Sequence, residues 1–382
     1  AIAYALNADD VIYPYYRDRA LMLARGTTQQ QIALDYFAKN ASSSQGRQMA
    51  SHYSDADNNM VSCATPTALQ CLPAAGTAWG IKLAQQNRVV VCCIGDASTR
   101  QGEFYEALAF ALQEKLPIVF VVEDNGYGIS TPTDNMQPYA LNVLSKDNCI
   151  EVNGSDVLHV LEVATSAFTR ARRFNIPSVL WVKVDRLMSH TSSDDQRTYR
   201  TPEELKAMDA RDPINLFANN LINHELISAI DWQTKCADIR LKVGDIYELA
   251  QQADNPIIDD VKKHLFSDKK YKPYHSLPPI EDDMNMAAAI NTTLHTLLRE
   301  DDKYILFGED ICDPKGGVFG LTKGLSMKFP TKVYNSPLAE ATICGLASGL
   351  ALTGYFPVFE LQFIDFVGPA FNQIVNQIAT LR

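Results

Sequence analysis

The sequence predicts an α/β protein with parallel sheets flanked by helices, two such domains standing in tandem. Three observations carry that reading. Val89-Val90-Val91-Cys92-Cys93-Ile94 is an unbroken apolar run, as expected of a strand buried on both faces of a parallel sheet. Similar runs recur at 118–122 and 178–184, separated by amphipathic helical stretches. A second alternation of helix and strand patterns begins at Met284, after a segment rich in Pro, Lys and Asp.

In chain order, Asp9-Asp10 and Val11-Ile12-Tyr13 lead to Tyr16 and Arg17, a phenol beside a guanidinium that can fork onto anionic oxygens. A helix is expected from Thr28 to Phe37. A small-residue polar loop around Gly46-Arg47-Gln48-Met49 and His52-Tyr53 follows. Thr65-Pro66-Thr67 then opens a helix rich in small residues, Ala74 to Ala78, suited to close packing.

The central unit runs from Arg88 to Thr133. Its first strand breaks at Gly95-Asp96, and a helix presents Phe104, Leu108, Ala111 and Leu112 on one face. The second strand ends on Glu123-Asp124-Asn125-Gly126-Tyr127. Ligands of open parallel sheets sit at the strands' carboxyl ends. That places Asp96 and Asn125 side by side although they are 29 positions apart. A carboxylate, an amide oxygen and a backbone carbonyl form a hard-oxygen half-shell acceptable to Mg²⁺. The small residues Ala97 and Ser98 let backbone N–H groups approach a diphosphate.

After a polar loop, a strand is expected at 150–152 and an Asp156-capped helix at 157–174. The strand 178–184 then runs into the Ser/Asp-rich loop that holds His190. One amphipathic helical stretch is read from Pro213 to about Ala250. The domains are expected at 1–253 and 284–382, joined by a linker at 254–283 containing Pro273, Pro278 and Pro279. In the second domain, helix 286–298 and strand 304–307 precede a Gly-rich loop at 316–320, which lacks the context of a dinucleotide fingerprint. Strand 333–334 leads to Asn335-Ser336-Pro337-Leu338-Ala339-Glu340, a helix 345–352, a strand 357–361 and a closing helix 366–381.

A net charge of −11 argues against nucleic acid as the main partner, and no run is long enough to span a membrane. The eight cysteines, without a CxxC pair, suit reduced buried thiols and a cytoplasmic location. Starting with Ala and ending at Arg382, the chain is expected to be incomplete.

Gly95-Asp96-Ala97 with Asp124-Asn125 resembles the thiamine diphosphate signature. Together with YYRD, TPTALQ and SHTSSDD, it resembles the α subunit of the thiamine-dependent 2-oxo acid dehydrogenases. From Met284, ILFGED, GGVFG and NSPLAEATICGLASG resemble the β subunit of the same enzymes, so the order looks like a fused form. The resemblance implies the thiamine diphosphate-binding fold. It also implies thiamine diphosphate and Mg²⁺ as cofactors, and a partner acyltransferase whose lipoyl group is reductively acylated. It puts Asp96, Asn125 and the Tyr127 carbonyl on the metal, and Tyr16, Arg17, Thr65, Ala97 and Ser98 around the diphosphate. His190 falls at the mouth of the site. Glu340 falls on the glutamate that hydrogen-bonds the aminopyrimidine ring, where a protonated carboxyl favours the imino tautomer; Pro337, Leu338 and Ile343 are expected to keep it dry.

The SHTSSDD loop favours a branched-chain 2-oxo acid, with pyruvate or acetoin as alternatives and a non-catalytic homologue as a further one. Departures bear on this. Glu123 stands where branched-chain relatives have an arginine, and Ala64 and Leu69 replace hydroxyl residues of a K⁺ site. Thr67, Phe366 and Thr191 also differ, the last at the position of a regulatory serine. The family's sites lie between α-type and β-type domains, which implies at least a homodimer. A second active-site histidine of the family would lie past Arg382.

Overall fold

The computed structural model describes residues 1–265 and 284–381. The larger domain contains strands β1 (Val11–Tyr13), β2 (Val90–Gly95) and β3 (Ile118–Asp124), and a short hairpin of β4 (Tyr127–Gly128) and β5 (Thr131–Pro132). It continues with β6 (Cys149–Asn153) and β7 (Ser178–Lys183). Its sheet has the order β1-β2-β3-β7-β6 with every pair parallel. β2 is buried at all six positions, and the sheet is covered on both faces, which explains its unbroken apolar runs. Helices α1 (Cys71–Leu83) and α2 (Gly102–Glu114) cover one face through Trp79, Phe104 and Phe110. Helix α3 (Val157–Phe174) covers the other through Val160, Ala164 and Phe168. Its start is fixed by Asp156, whose carboxylate accepts the His159 N–H at 3.0 Å.

The predicted helix after Thr28 forms as Gln29–Tyr36, with Thr28 and Gln31 closing a capping box. The single helical stretch expected from Pro213 is broken. It forms Pro213–Asn223 and then α4 (Ala229–Gln252), which starts at a Ser228 cap. Residues beyond it return to the domain: Lys39 donates to the Asn255 side chain at 2.9 Å, and Asn40 N–H to the Asp254 carbonyl. Residues 266–283, including the three linker prolines, lie outside the described residues.

In the second domain, β8 (Tyr304–Gly308), β9 (Val333–Asn335) and β10 (Phe356–Glu360) form a parallel sheet in the order β10-β8-β9. Helix α5 (Glu340–Leu352) starts five residues before the predicted position, so Glu340 is its first residue. The closing segment is a short helix, Val367–Asn372, that widens into a π turn at Gln373–Ile378, rather than one long helix.

The two sheets share one core because α1 and α5 pack against each other through glycines. A Cβ on Gly349 would lie 1.9 Å from the Pro73 carbonyl, and one on Gly76 would lie 2.3 Å from that of Leu346. Only hydrogen fits at those points, so the backbones touch. Thr77 uses the approach to donate to the Gly349 carbonyl at 3.1 Å. Trp79 packs edge-on against Phe110, Phe307 and Tyr334, ring centres 5.3–5.5 Å away, joining side chains from both domains. Among the described residues no helix is long and apolar enough to cross a membrane.

Candidate active site

The site is built where β2 and β3 end together. Their register pairs Gly95 with Glu123, so Asp96 and Asp124 leave the sheet side by side and Asn125 lies one residue further. Asp124 is a structural anchor. Its carboxylate accepts from Gly126 N–H at 3.0 Å, Gln137 at 2.9 Å, Trp181 at 2.7 Å and Lys183 at 2.5 Å. Gly126 takes a φ of +75°, the left-handed turn that feeds β4 and frees the residues after Asn125 to reverse direction.

That reversal brings Thr133 back to Asp96. The Thr133 hydroxyl donates to the Asp96 carboxylate, which is 1% exposed. Burial pushes the Asp96 carboxyl up to about 6; the Thr133 hydrogen bond opposes this and the Asp124 charge adds to it. Gly128 packs so closely on Ala97 that a Cβ there would lie 2.9 Å from the Ala97 methyl. Asn125 Oδ1 accepts the Tyr127 N–H at 3.2 Å. The Tyr127 ring lies under the Arg200 guanidinium at 4.4 Å and its hydroxyl donates to Glu204 at 3.4 Å.

Three elements distant in sequence converge beside this end. Arg17 meets His190 Nδ1 at 3.2 Å, and the Tyr16 ring lies between His190 at 6.3 Å and His52 at 6.1 Å. The His190 loop is held from within. Its backbone N–H donates to Asp194 at 2.7 Å, the Tyr199 hydroxyl donates to the same oxygen at 2.6 Å, and Arg186 donates to Tyr199 at 2.6 Å. Burial, then the charges of Arg17 and Arg186, lower the His190 pKa below that of an ordinary histidine and favour its neutral form.

Sequence reasoning named Glu123 but missed its acidic partner Asp18 on the neighbouring wall. The Tyr15 hydroxyl donates to Glu123 at 2.8 Å, and the Tyr15 N–H donates to Asp18 at 2.9 Å. Burial and the Glu123 charge hold the Asp18 carboxyl well above the usual range. It also missed Thr133, His52 and Arg186. Nothing in the local sequence marks Thr133 or Arg186, whereas His52 sits in a motif already singled out. A cavity of about 600 Å³ opens at the ends of β3, β6 and β7, lined in part by Tyr15, Arg17, Glu123, Asn125, Lys183 and Arg186.

Of the remaining predicted residues, Ala97 and Ser98 follow Asp96 directly, while Thr65 and Glu340 stand apart. Thr65 is exposed ahead of α1, and Ala97 is exposed while Ser98 is half-buried. Glu340 faces Glu106 and Glu309: its charge, after their burial, helps push both carboxyls up. Among the described residues no hydrogen bond or ring contact joins Glu340 to Asp96, Asn125 or His190. The dry setting expected for it is corrected in part. Ile343 is buried, but Pro337 is exposed and Leu338 is 83% exposed. Among the described residues no three His, Cys, Asp or Glu side chains gather as metal ligands. The carboxylate, amide and carbonyl set at Asp96, Asn125 and Tyr127 would not form such a group, and its hard oxygens suit Mg²⁺.

Comparison with known proteins bears on this arrangement. Residues 1–259 match the family described as dehydrogenase E1 component, and residues 282–381 match the transketolase pyrimidine-binding domain. The chain belongs to the dehydrogenase E1 component family. It is 32% identical over 259 residues to the 2-oxoisovalerate dehydrogenase subunit alpha of Bacillus subtilis (strain 168), covering 66% of this chain and 78% of that protein. It is 33% identical over 228 residues to the mitochondrial 2-oxoisovalerate dehydrogenase subunit alpha 1 of Arabidopsis thaliana, covering 57% of this chain and 47% of that one. It is 29% identical over 278 residues to the pyruvate dehydrogenase E1 component subunit alpha of Porphyra purpurea, covering 69% and 79%. An E1 domain followed by a pyrimidine-binding domain gives two thiamine diphosphate-type domains in tandem, the fold class read from the sequence, and implies thiamine diphosphate as cofactor.

Proposed function

We propose that this chain decarboxylates a 2-oxo acid, of the branched-chain type, on thiamine diphosphate with Mg²⁺, and reductively acylates the lipoyl group of a partner acyltransferase. The observation that carries the reading is the convergence of Tyr16, Arg17 and His190 beside the ends of β2 and β3, where Asp96 and Asn125 emerge. Thiamine diphosphate, when bound, supplies the electron sink for decarboxylation.

The chain's residues have separable tasks. Asp96, Asn125 and the Tyr127 carbonyl would hold Mg²⁺. Arg17, with the backbone around Ala97 and Ser98, would bind the diphosphate. Tyr16 and Thr65 would line the same region. His190, neutral at its Arg17-bound ring, can hold or pass a proton at the mouth of the site. Glu340 at the start of α5 would hydrogen-bond the aminopyrimidine ring.

Because Glu340 makes no contact with the Asp96 group among the described residues, the reading includes a homodimer in which each site draws Glu340 from the other copy. The branched-chain choice draws support from the relatives in Bacillus and Arabidopsis; the Porphyra relative keeps pyruvate as the second candidate. The deciding test is 2-oxo acid decarboxylation with an artificial electron acceptor, with and without thiamine diphosphate and Mg²⁺, comparing 2-oxoisovalerate with pyruvate. Cofactor-dependent turnover that Glu340→Gln abolishes is expected. Stoichiometric cofactor binding without turnover would overturn the catalytic reading.

A further inference from the structure

A second cavity, of about 320 Å³, lies at the opposite end of β2 from Asp96. It opens where the loop 54–62, the turn before β2 and the last residue of α5 meet, so both domains wall it. The walls are held in place at the crossing of α1 and α5. Thr77, which lines the cavity, donates to the Gly349 carbonyl at 3.1 Å, and a Cβ on Gly80 would lie 2.0 Å from the Thr353 hydroxyl.

Among the described residues of the lining, Arg88 is the one charged side chain. It is half-buried, and its hydrogen-bond partners are all neutral. Nε donates to the Asp9 carbonyl, Nη1 to the Gln86 side chain at 3.3 Å and Nη2 to that of Asn59 at 3.5 Å. Both Nη bonds are long, and each terminal nitrogen carries a second hydrogen. Val11, Val61 and Leu352 give the same chamber an apolar wall. One uncompensated guanidinium beside an apolar wall selects a single negative charge on an apolar body. A diphosphate would bring more charge than this lining offsets.

We propose that this cavity is a second small-molecule site, taking a short aliphatic monocarboxylate with its carboxylate on Arg88 and its chain against Val11, Val61 and Leu352. The site is independent of the thiamine diphosphate reading. Because both domains wall it, its occupant stabilises their packing.

Calorimetric titration of the full chain with hexanoate and with neutral hexanamide, in the absence of thiamine diphosphate, tests it. Saturable hexanoate binding is expected with a Kd on the order of 1 mM, and hexanamide should bind about tenfold more weakly. Arg88→Gln should abolish that preference. Ser54→Phe, which narrows the chamber without altering its charge, should weaken both ligands. Thiamine diphosphate with Mg²⁺ should leave hexanoate binding unchanged, and thermal unfolding of each variant separates binding from folding. Hexanoate that fails to saturate, or hexanamide bound equally well, would overturn the proposal. So would Arg88→Gln retaining the preference for hexanoate. Displacement of hexanoate by thiamine diphosphate would assign the ligand to the Asp96 end and overturn it too.

Discussion

The two ends of the candidate site are built differently, although each closes a parallel sheet. At the Asp96 end, one chain supplies nearly everything. Asp124 receives four hydrogen bonds, Thr133 returns to cover Asp96, and Arg17 and His190 meet from loops 173 positions apart. At the Glu340 end, a three-stranded sheet leaves Leu338 and Ile364 more than four-fifths exposed. The Glu340 side chain acts on two other acids, Glu106 and Glu309. The first end is preorganised within the chain, whereas the second is left open, and the homodimer proposed above would complete it.

The largest effect tests that difference directly. Asp96→Asn and Glu340→Gln are each expected to lower turnover by about 10²–10⁴-fold, the range for losing a positioned charge or proton-transfer group. Mixed and re-equilibrated, the two inactive proteins should regain about a quarter of normal turnover, because half the dimers then hold one intact site. No recovery on mixing would place both residues in one copy's site and remove the contrast.

Next comes the anchor. Asp124→Ala strands the Trp181 N–H and the Lys183 ammonium, and it should cost about 3 kcal/mol in denaturant unfolding. The same change is expected to weaken Mg²⁺ binding, since it loosens the turn that carries Asn125. An equal loss of stability from Glu340→Gln would erase the distinction between a preorganised end and an open one.

The sequence made the first end legible because periodicity and spacing are local. The runs at 89–94 and 118–122, the break at Gly95-Asp96 and the cap at Asp156 each depend on neighbours in the chain. They returned as β2, β3 and α3 within a residue or two. The break between Pro213–Asn223 and α4 was less legible: a Ser228 cap inside an amphipathic stretch does not change its apolar period. The pairing of Arg17 with His190, 173 positions apart, depends on how loops fold over the sheet's edge. So do the acid pair Asp18–Glu123 and the covering Thr133, for which alternation of polar and apolar residues carries no signal. The dryness expected at Glu340 failed for a related reason. Apolar neighbours in sequence exclude water only when a surface packs on them, and Leu338 faces outward.

Asp96 gives the contrast a pH signature. Its folded carboxyl holds a proton up to about pH 6, whereas an ordinary aspartate releases it near 3.8. Between those values the folded state binds more protons than the unfolded chain, so this group's contribution makes stability fall as pH rises. The penalty is complete above about pH 6 and amounts to about 2–3 kcal/mol without a bound cation. Asp96→Asn should remove that slope in urea unfolding at pH 4 and pH 7. Mg²⁺ should relieve the penalty in the unaltered chain at pH 7 and do nothing for the variant. An unchanged slope in Asp96→Asn would mean that the burial around Asp96 carries no strain.

The smallest effect comes from the exposed end. Leu338 is 83% exposed, so Leu338→Ser should shift the unfolding free energy of the isolated chain by less than about 0.5 kcal/mol. If a second copy covers that end, the same change removes apolar area from an interface instead of from water. Sedimentation would then show weaker self-association, and turnover would become dependent on protein concentration while the fold stayed intact. A substitution silent in unfolding yet visible in assembly would locate the missing surroundings of Glu340 on the other copy. One silent in both would leave the open end open, and the comparison would rest on Asp96 and its neighbours alone.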